Sequence, residues 1–161
     1  MTRRWTVLLL AAVCLSCAKT HQLTDTSNTV YGLASENSTL GTFITMLEMS
    51  KMDETLRGSE PFTVLAPTNR ALAALGAERV RYLMSREGAA ELDRVVKSHV
   101  FPGTYSAEDV ARGKLPRSLA GTTVEGSKSS DGTPRIQKTT RIIESMKGSN
   151  GYIHVVDAVM R

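Results

Sequence analysis

The sequence predicts an α+β fold in which helices gather around one early strand and a run of strands follows. Three observations carry this. Leu40, Phe43, Ile44 and Leu47 recur at i, i+3, i+4 and i+7, the spacing of one apolar helical face. Phe62-Thr63-Val64-Leu65, closed off by Pro61 and Pro67, is short, β-prone and apolar enough for a buried strand. From Lys114 onward the helical spacing gives way to short β-prone pieces punctuated by Gly121, Gly126, Asp131-Gly132 and Asn150-Gly151. That order differs from the alternating βαβ pattern of parallel α/β folds. With 161 residues and 41% hydrophobic content the chain suits one domain with its own core.

The elements follow in order. Met1 to Ala18 carries a charged start at Arg3-Arg4, an apolar stretch from Trp5 to Val13, and small residues, the layout of a secretory signal. The stretch is about half the ~20 residues a spanning helix needs. Cys14 and Cys17 are the only cysteines, so the mature domain has no disulfide framework. Leu15-Ser16-Cys17 resembles the bacterial lipobox, with Cys14 in the place of the usual aliphatic residue. Residues 1–17 are therefore expected to be signal peptide and lipobox, with Cys17 lipidated; cleavage after Ala18 is the alternative. Multiple acyl chains exceed the threshold for stable membrane attachment. The expected location is the cell envelope, as an outer-membrane-anchored lipoprotein, with a secreted or periplasmic protein as the alternative. Residues 18–28 read as a polar tether holding an isolated His21, and the domain spans residues 29–161.

Within the domain, Val30 to Asn37 suits a short helix, and Ser38 or Thr39 is placed to cap the Leu40–Leu47 helix. Met52 and Leu56 continue into a turn closed by Gly58. After the strand at Phe62, Thr68 or Asn69 can cap a helix that buries Ala71, Leu72 and Leu75. Val80, Leu83 and Met84 mark another helix, and Leu92, Val95 and Val96 one that starts near Ala89 with His99 a turn further on. Ser106 and Asp109 form a capping box for Ala107 to Arg112. Strands are expected at Ser118–Ala120, Thr122–Glu125, Arg135–Lys138, Arg141–Glu144 and Tyr152–Val156.

Two of these segments carry a resemblance. Phe62-Thr63-Val64-Leu65-Ala66-Pro67-Thr68-Asn69-Arg70-Ala71-Leu72 resembles the first signature of fasciclin-like domains. Asn150-Gly151-Tyr152-Ile153-His154-Val155-Val156-Asp157-Ala158-Val159-Met160 resembles the second, and His99 stands between them where the family has a Tyr-His pair. The resemblance implies a wedge-shaped β-sandwich with a helical cluster along one edge. It also implies a non-enzymatic role in cell adhesion and matrix contact. Ser98 stands in place of the family's tyrosine, and Ser145-Met146 in place of an Asp followed by an aliphatic residue. Integrin recognition is therefore not carried over.

The residues themselves point to structure more than to chemistry. Pro67 ends a strand, Thr68 and Asn69 offer cap oxygens, Gly151 suits a left-handed position, and Asp157 can accept bonds near the last strand. His99 and His154 sit among valines and isoleucines, as buried hydrogen-bonding histidines do. No Gly-x-Ser-x-Gly elbow, domain thiol, phosphate loop or paired-carboxylate pattern is present. The expectation is no enzyme, no cofactor and no metal.

Charge is informative only locally. Twenty Lys and Arg oppose sixteen Asp and Glu, and losing Arg3 and Arg4 with the leader leaves a net charge of +2. Between Arg112 and Lys147, however, eight basic residues face three acidic ones. Arg135, Lys138, Arg141 and Lys147 form a candidate patch for an anionic ligand, against the alternative of solvated edge protection. The expected partner is an extracellular matrix protein or acidic polysaccharide. An envelope assembly role, binding other envelope proteins, is the alternative. Aromatics at 5% are too few for base stacking, so nucleic acid is not expected.

Overall fold

The computed structural model of the chain describes residues 26–160. Cys17, His21 and most of the proposed leader and tether lie outside the described residues. The first described element is a 3-10 turn at Thr26–Asn28, whose last carbonyl accepts the Ser149 N–H.

Helices α1 (Val30–Glu36), α2 (Gly41–Met49) and α3 (Met52–Leu56) precede strand β1 (Phe62–Pro67). Helices α4 (Asn69–Ala73), α5 (Ala77–Leu83) and α6 (Ala89–Ser98) follow it. Then come β2 (Val100–Pro102), α7 (Ala107–Ala111), β3 (Gly126–Lys128), β4 (Pro134–Ile136), β5 (Thr140–Gly148) and β6 (Gly151–Val156). The six strands form one path in the order β2-β1-β6-β5-β4-β3. β1 and β6 pair in parallel over six positions, Phe62 with Gly151 through Pro67 with Val156, and every other pairing is antiparallel.

Both central strands are covered on both faces, because their alternating side chains feed two cores. Phe62, Val64, Ala66, Ile153 and Val155 join the helices in one cluster with Phe43, Leu47, Leu72 and Val96. Leu65 and Val156 join Phe101 of β2, Val110 of α7, Ile136 of β4 and Ile142 of β5 in the other. The sheet curls so that its β3–β4–β5 arm closes over the second cluster. The expected sandwich with a helical edge is built in this way.

Local expectations hold best where a side chain closes a helix end. Ser106 with Asp109 makes the expected capping box of α7 and Thr68 the expected cap of α4, while Thr29, for which no cap was expected, closes α1 by accepting from the Gly32 N–H. At α2 the expectation fails: neither Ser38 nor Thr39 caps it. Asn37 caps a 3-10 turn over Ser38–Leu40, and the Thr42 N–H of α2 donates instead to Asn69 Oδ1 at 2.9 Å.

Two expected strands, Ser118–Ala120 and Thr122–Glu125, are loop. Ser118 folds back on itself, its N–H bonding the Thr122 carbonyl and its Oγ accepting the Thr122 N–H. Leu119 and Ala120 donate to the Val100 and Lys97 carbonyls, so their donors cannot run a strand ladder. The strand expected over Arg135–Lys138 stops at Ile136, since Gln137 and Lys138 take φ of 50° and 65° to turn the hairpin. The strand expected at Arg141–Glu144 extends to Gly148 and carries a bulge. Register runs from Ile142↔Val156 to Glu144↔Val155, which leaves Ile143 unpaired and 58% exposed.

Candidate functional site

The signature residues divide into those that hold the frame and those that face a groove. Asn150 is frame. Its Oδ1 accepts the Val30 N–H (2.8 Å), and its amide donates to the carbonyls of Leu56 (2.9 Å) and Gly58 (2.7 Å). One buried side chain thereby ties the start of α1 and the end of α3 to the β5–β6 turn. Gly151 lets β6 lie against β1: a Cβ there would stand 1.7 Å from the Phe62 carbonyl oxygen.

His99 is fully buried (0% exposed) at the end of α6. Its Nε2 accepts the Met160 N–H at 3.0 Å, so the proton sits on Nδ1, which donates to the Val95 carbonyl at 2.7 Å. Burial pushes its pKa down to about 4, against the smaller opposing effect of the Val95 bond. The ring is neutral at pH 7 and clasps the chain after β6 to α6. His154 is equally enclosed. Its Nε2–H donates to the Tyr105 carbonyl (2.9 Å), its Nδ1 accepts from Ser145 Oγ (2.8 Å), and burial lowers its pKa. Ser145 and His154 are register partners, so their contact, which superficially matches a nucleophile and its base, is a cross-strand tie.

Thr68 and Asn69 have separate tasks. Thr68 Oγ1 accepts the Ala71 N–H as the cap of α4. Asn69 does not cap its own helix; it accepts from Thr42 and donates to the Ser38 carbonyl (3.1 Å), joining α4 to α2. Pro67, as expected, is the last residue of β1. Asp157 accepts from the Arg141 backbone N–H (2.7 Å) and from its Nε (2.9 Å), carrying the β5–β6 connection past the last paired residue.

Four of these residues, Thr68, Asn69, Arg141 and Asp157, line one groove of about 700 Å³ between α4 and β5, with Arg70 and the bulged Ile143 beside them. An adjoining depression shares Ala71, Ala74 and Asp157 and is bounded by Gln137 and Thr139 of the β4–β5 turn. Lys138, exposed between those two, stands at its margin. The Arg70 guanidinium meets no carboxylate among the described residues, whereas Arg141 is paired with Asp157.

The candidate patch is therefore only partly assembled. Arg135 and Arg141 are register partners and share a sheet face, although Arg135 is half-buried with its Nε enclosed and without a hydrogen bond. Lys147 lies six residues along β5, roughly 20 Å away. Its ammonium sits 6.0 Å from the centre of the Tyr152 ring, which stacks on His154.

Sequence reasoning missed Arg70 and Ile143. Arg70 lies inside the first signature, where cap geometry explains its neighbours and nothing in the motif marks its side chain as outward. The bulge that exposes Ile143 has no local sequence signal. Among the described residues no group of three or more His, Cys, Asp or Glu could hold a metal ion, and no helix is long and apolar enough to cross a membrane.

The chain is similar to several known proteins. A Synechocystis sp. relative, Protein sll1483, is 37% identical over 137 residues, covering 85% of this chain and 75% of its own. Transforming growth factor-beta-induced protein ig-h3 of Sus scrofa is 24% identical over 138 residues, 86% of this chain but 20% of that protein. A solved FAS1 domain pair from the insect cell adhesion molecule Fasciclin I superposes with a TM-score of 0.72 at 14% identity, covering 83% of this chain and 51% of that one. The sequence profile of the Fasciclin domain matches residues 38–161. The chain belongs to the Fasciclin domain family.

Proposed function

We propose that the protein is an exported, non-enzymatic binding module held at the cell envelope through a lipid on Cys17. In this reading it contacts an anionic partner, either an acidic polysaccharide or the acidic face of a matrix protein. Its likeness to a cell adhesion molecule and its place in the family support the adhesion class. The observation that carries the choice of partner is the groove beside α4. There the unpaired Arg70 and the Asp157-paired Arg141 line the groove with an exposed apolar side chain, Ile143, and the exposed Lys138 stands in the turn that bounds the adjoining depression. Cations rimming a shallow concavity attract anionic polymers, and tethering many copies to one surface turns weak contacts into firm attachment.

The test is binding of the intact chain to heparin, hyaluronate and matrix proteins at low and high salt. Binding should weaken at high salt and fall at least tenfold in a variant carrying Arg70→Gln, Lys138→Ser and Arg141→Ser. Salt-insensitive binding would move the site elsewhere. Absence of binding at either salt would put the envelope assembly role ahead, to be pursued by cross-linking in intact cells. Membrane fractionation of the Cys17→Ala variant tests the anchor, which predicts its release into the soluble fraction.

A further inference from the structure

A second concavity lies just past the C-terminal end of α4, between α5 and α6, and differs in chemistry. Its volume is about 570 Å³, within the range of small-molecule sites, and Leu75, Leu83, Val95, Val159 and Met160 supply its apolar lining. The polar groups in its wall are already satisfied. Ser98 Oγ donates to the Val95 carbonyl at 2.6 Å, and the Met160 N–H donates to His99. Such a wall offers an incoming molecule contact area and no buried group in need of a partner.

The rim is different. Arg79 is bonded to Glu91, so those two charges cancel. Arg94, one helical turn before Ser98 on α6, also lines the concavity, is exposed, and meets no carboxylate among the described residues. Thr122, from the loop that replaces an expected strand, adds a hydroxyl to the lining. An apolar concavity with one uncompensated guanidinium at its edge matches a molecule with an apolar body and one anionic end.

We propose that this concavity binds an amphipathic carboxylate, with the aliphatic body against Leu75, Val95 and Val159 and the carboxylate on Arg94. Arginine suits the role because its planar fork can hold both carboxylate oxygens while its stem covers part of the chain. The site has no lining residue in common with the groove between α4 and β5, and it meets the depression adjoining that groove at Leu75 and Val159.

The experiment is titration of the intact chain with decanoate and with decanol, read by displacement of a fluorescent apolar anion and by calorimetry. Decanoate should bind at least tenfold more tightly than decanol. Arg94→Gln should remove that difference while leaving decanol binding unchanged, and the exposure of Arg94 keeps the fold out of the comparison. Val95→Trp, which fills the concavity from a half-buried position, should abolish binding of both, and an unaltered thermal transition would show that the variant is folded. Equal binding of decanoate and decanol, no effect of Arg94→Gln, or no binding by either probe overturns the proposal.

Discussion

The β1–β6 seam and the β3–β4–β5 arm are parts of one sheet built on opposite terms. In the seam all six residues of β1 are buried, and the polar side chains around it are fully committed: Asn150 in three hydrogen bonds, His99 in a clasp on Met160, His154 between Ser145 and Tyr105. In the arm, β3 and β4 are three residues each, the turn carries two strained left-handed residues, and most side chains are exposed or half-buried. A buried polar group left without its partner costs about 1–3 kcal/mol, so the seam admits few substitutions. The arm has little such constraint on its outer face. The family signatures contain both strands of the seam because the frame demands them there, whereas Lys138 and Ile143 stand in the turn and the bulge of the arm, where the frame demands least.

The largest expected effect breaks the seam. Gly151→Ala places a methyl 1.7 Å from the Phe62 carbonyl and should lower stability by about 4 kcal/mol or more, or prevent folding. The matching change in the arm, Gly132→Ala, meets no atom within 4 Å and strains only its φ of 82°, for a loss of about 1–2 kcal/mol. Urea titrations of the two variants that agreed within error would erase the distinction between the regions.

Acid should also act on the seam first. The His99 pKa of about 4 lies below the ordinary 6.5, so the unfolded chain takes up the proton first. Stability is then whole above pH 6.5 and declines by about 1.4 kcal/mol per pH unit as pH falls from there toward 4. His154, lowered for the same reason, steepens the decline. Denaturant midpoints measured between pH 7 and 5 should fall accordingly, and a flat profile there would contradict the neutral, buried clasp.

The smallest effect sharpens the comparison from the other side. Gln137 and Lys138 hold a turn that Asn-Gly would make without strain. Gln137→Asn with Lys138→Gly should raise stability by about 1 kcal/mol, a few degrees in the thermal transition. Since it removes Lys138 from the groove margin, the same variant should bind heparin more weakly. A stabilised protein with undiminished binding would take Lys138 out of the interface.

The same contrast explains what the sequence made legible. Helices α1, α6 and α7, strand β6 and the strand β1 were readable because periodicity and caps are local, and Ser106-Asp109 states its purpose within four residues. What escaped depended on distant partners. Asn69 serves α2, twenty-seven positions back, and the oxygens available to Ser118 turned a β-prone segment into a loop. Strand β2, only Val100–Pro102, exists because β1 offers it an edge. For the site, Arg135, Lys138 and Arg141 were visible as a cluster in the chain. Their separation from Lys147, the pairing of Arg141 with Asp157 and the arrival of Arg70 from another element required the third dimension.

The parallel pairing of β1 with β6 has a consequence in time as well as in space. The strand that starts at Phe62 cannot complete its central neighbour until the strand that starts at Gly151 has been made, and His99 waits for Met160 in the same way. Contacts between distant parts of a chain form slowly and late. The central seam of such a chain stays open until its last strand has been made.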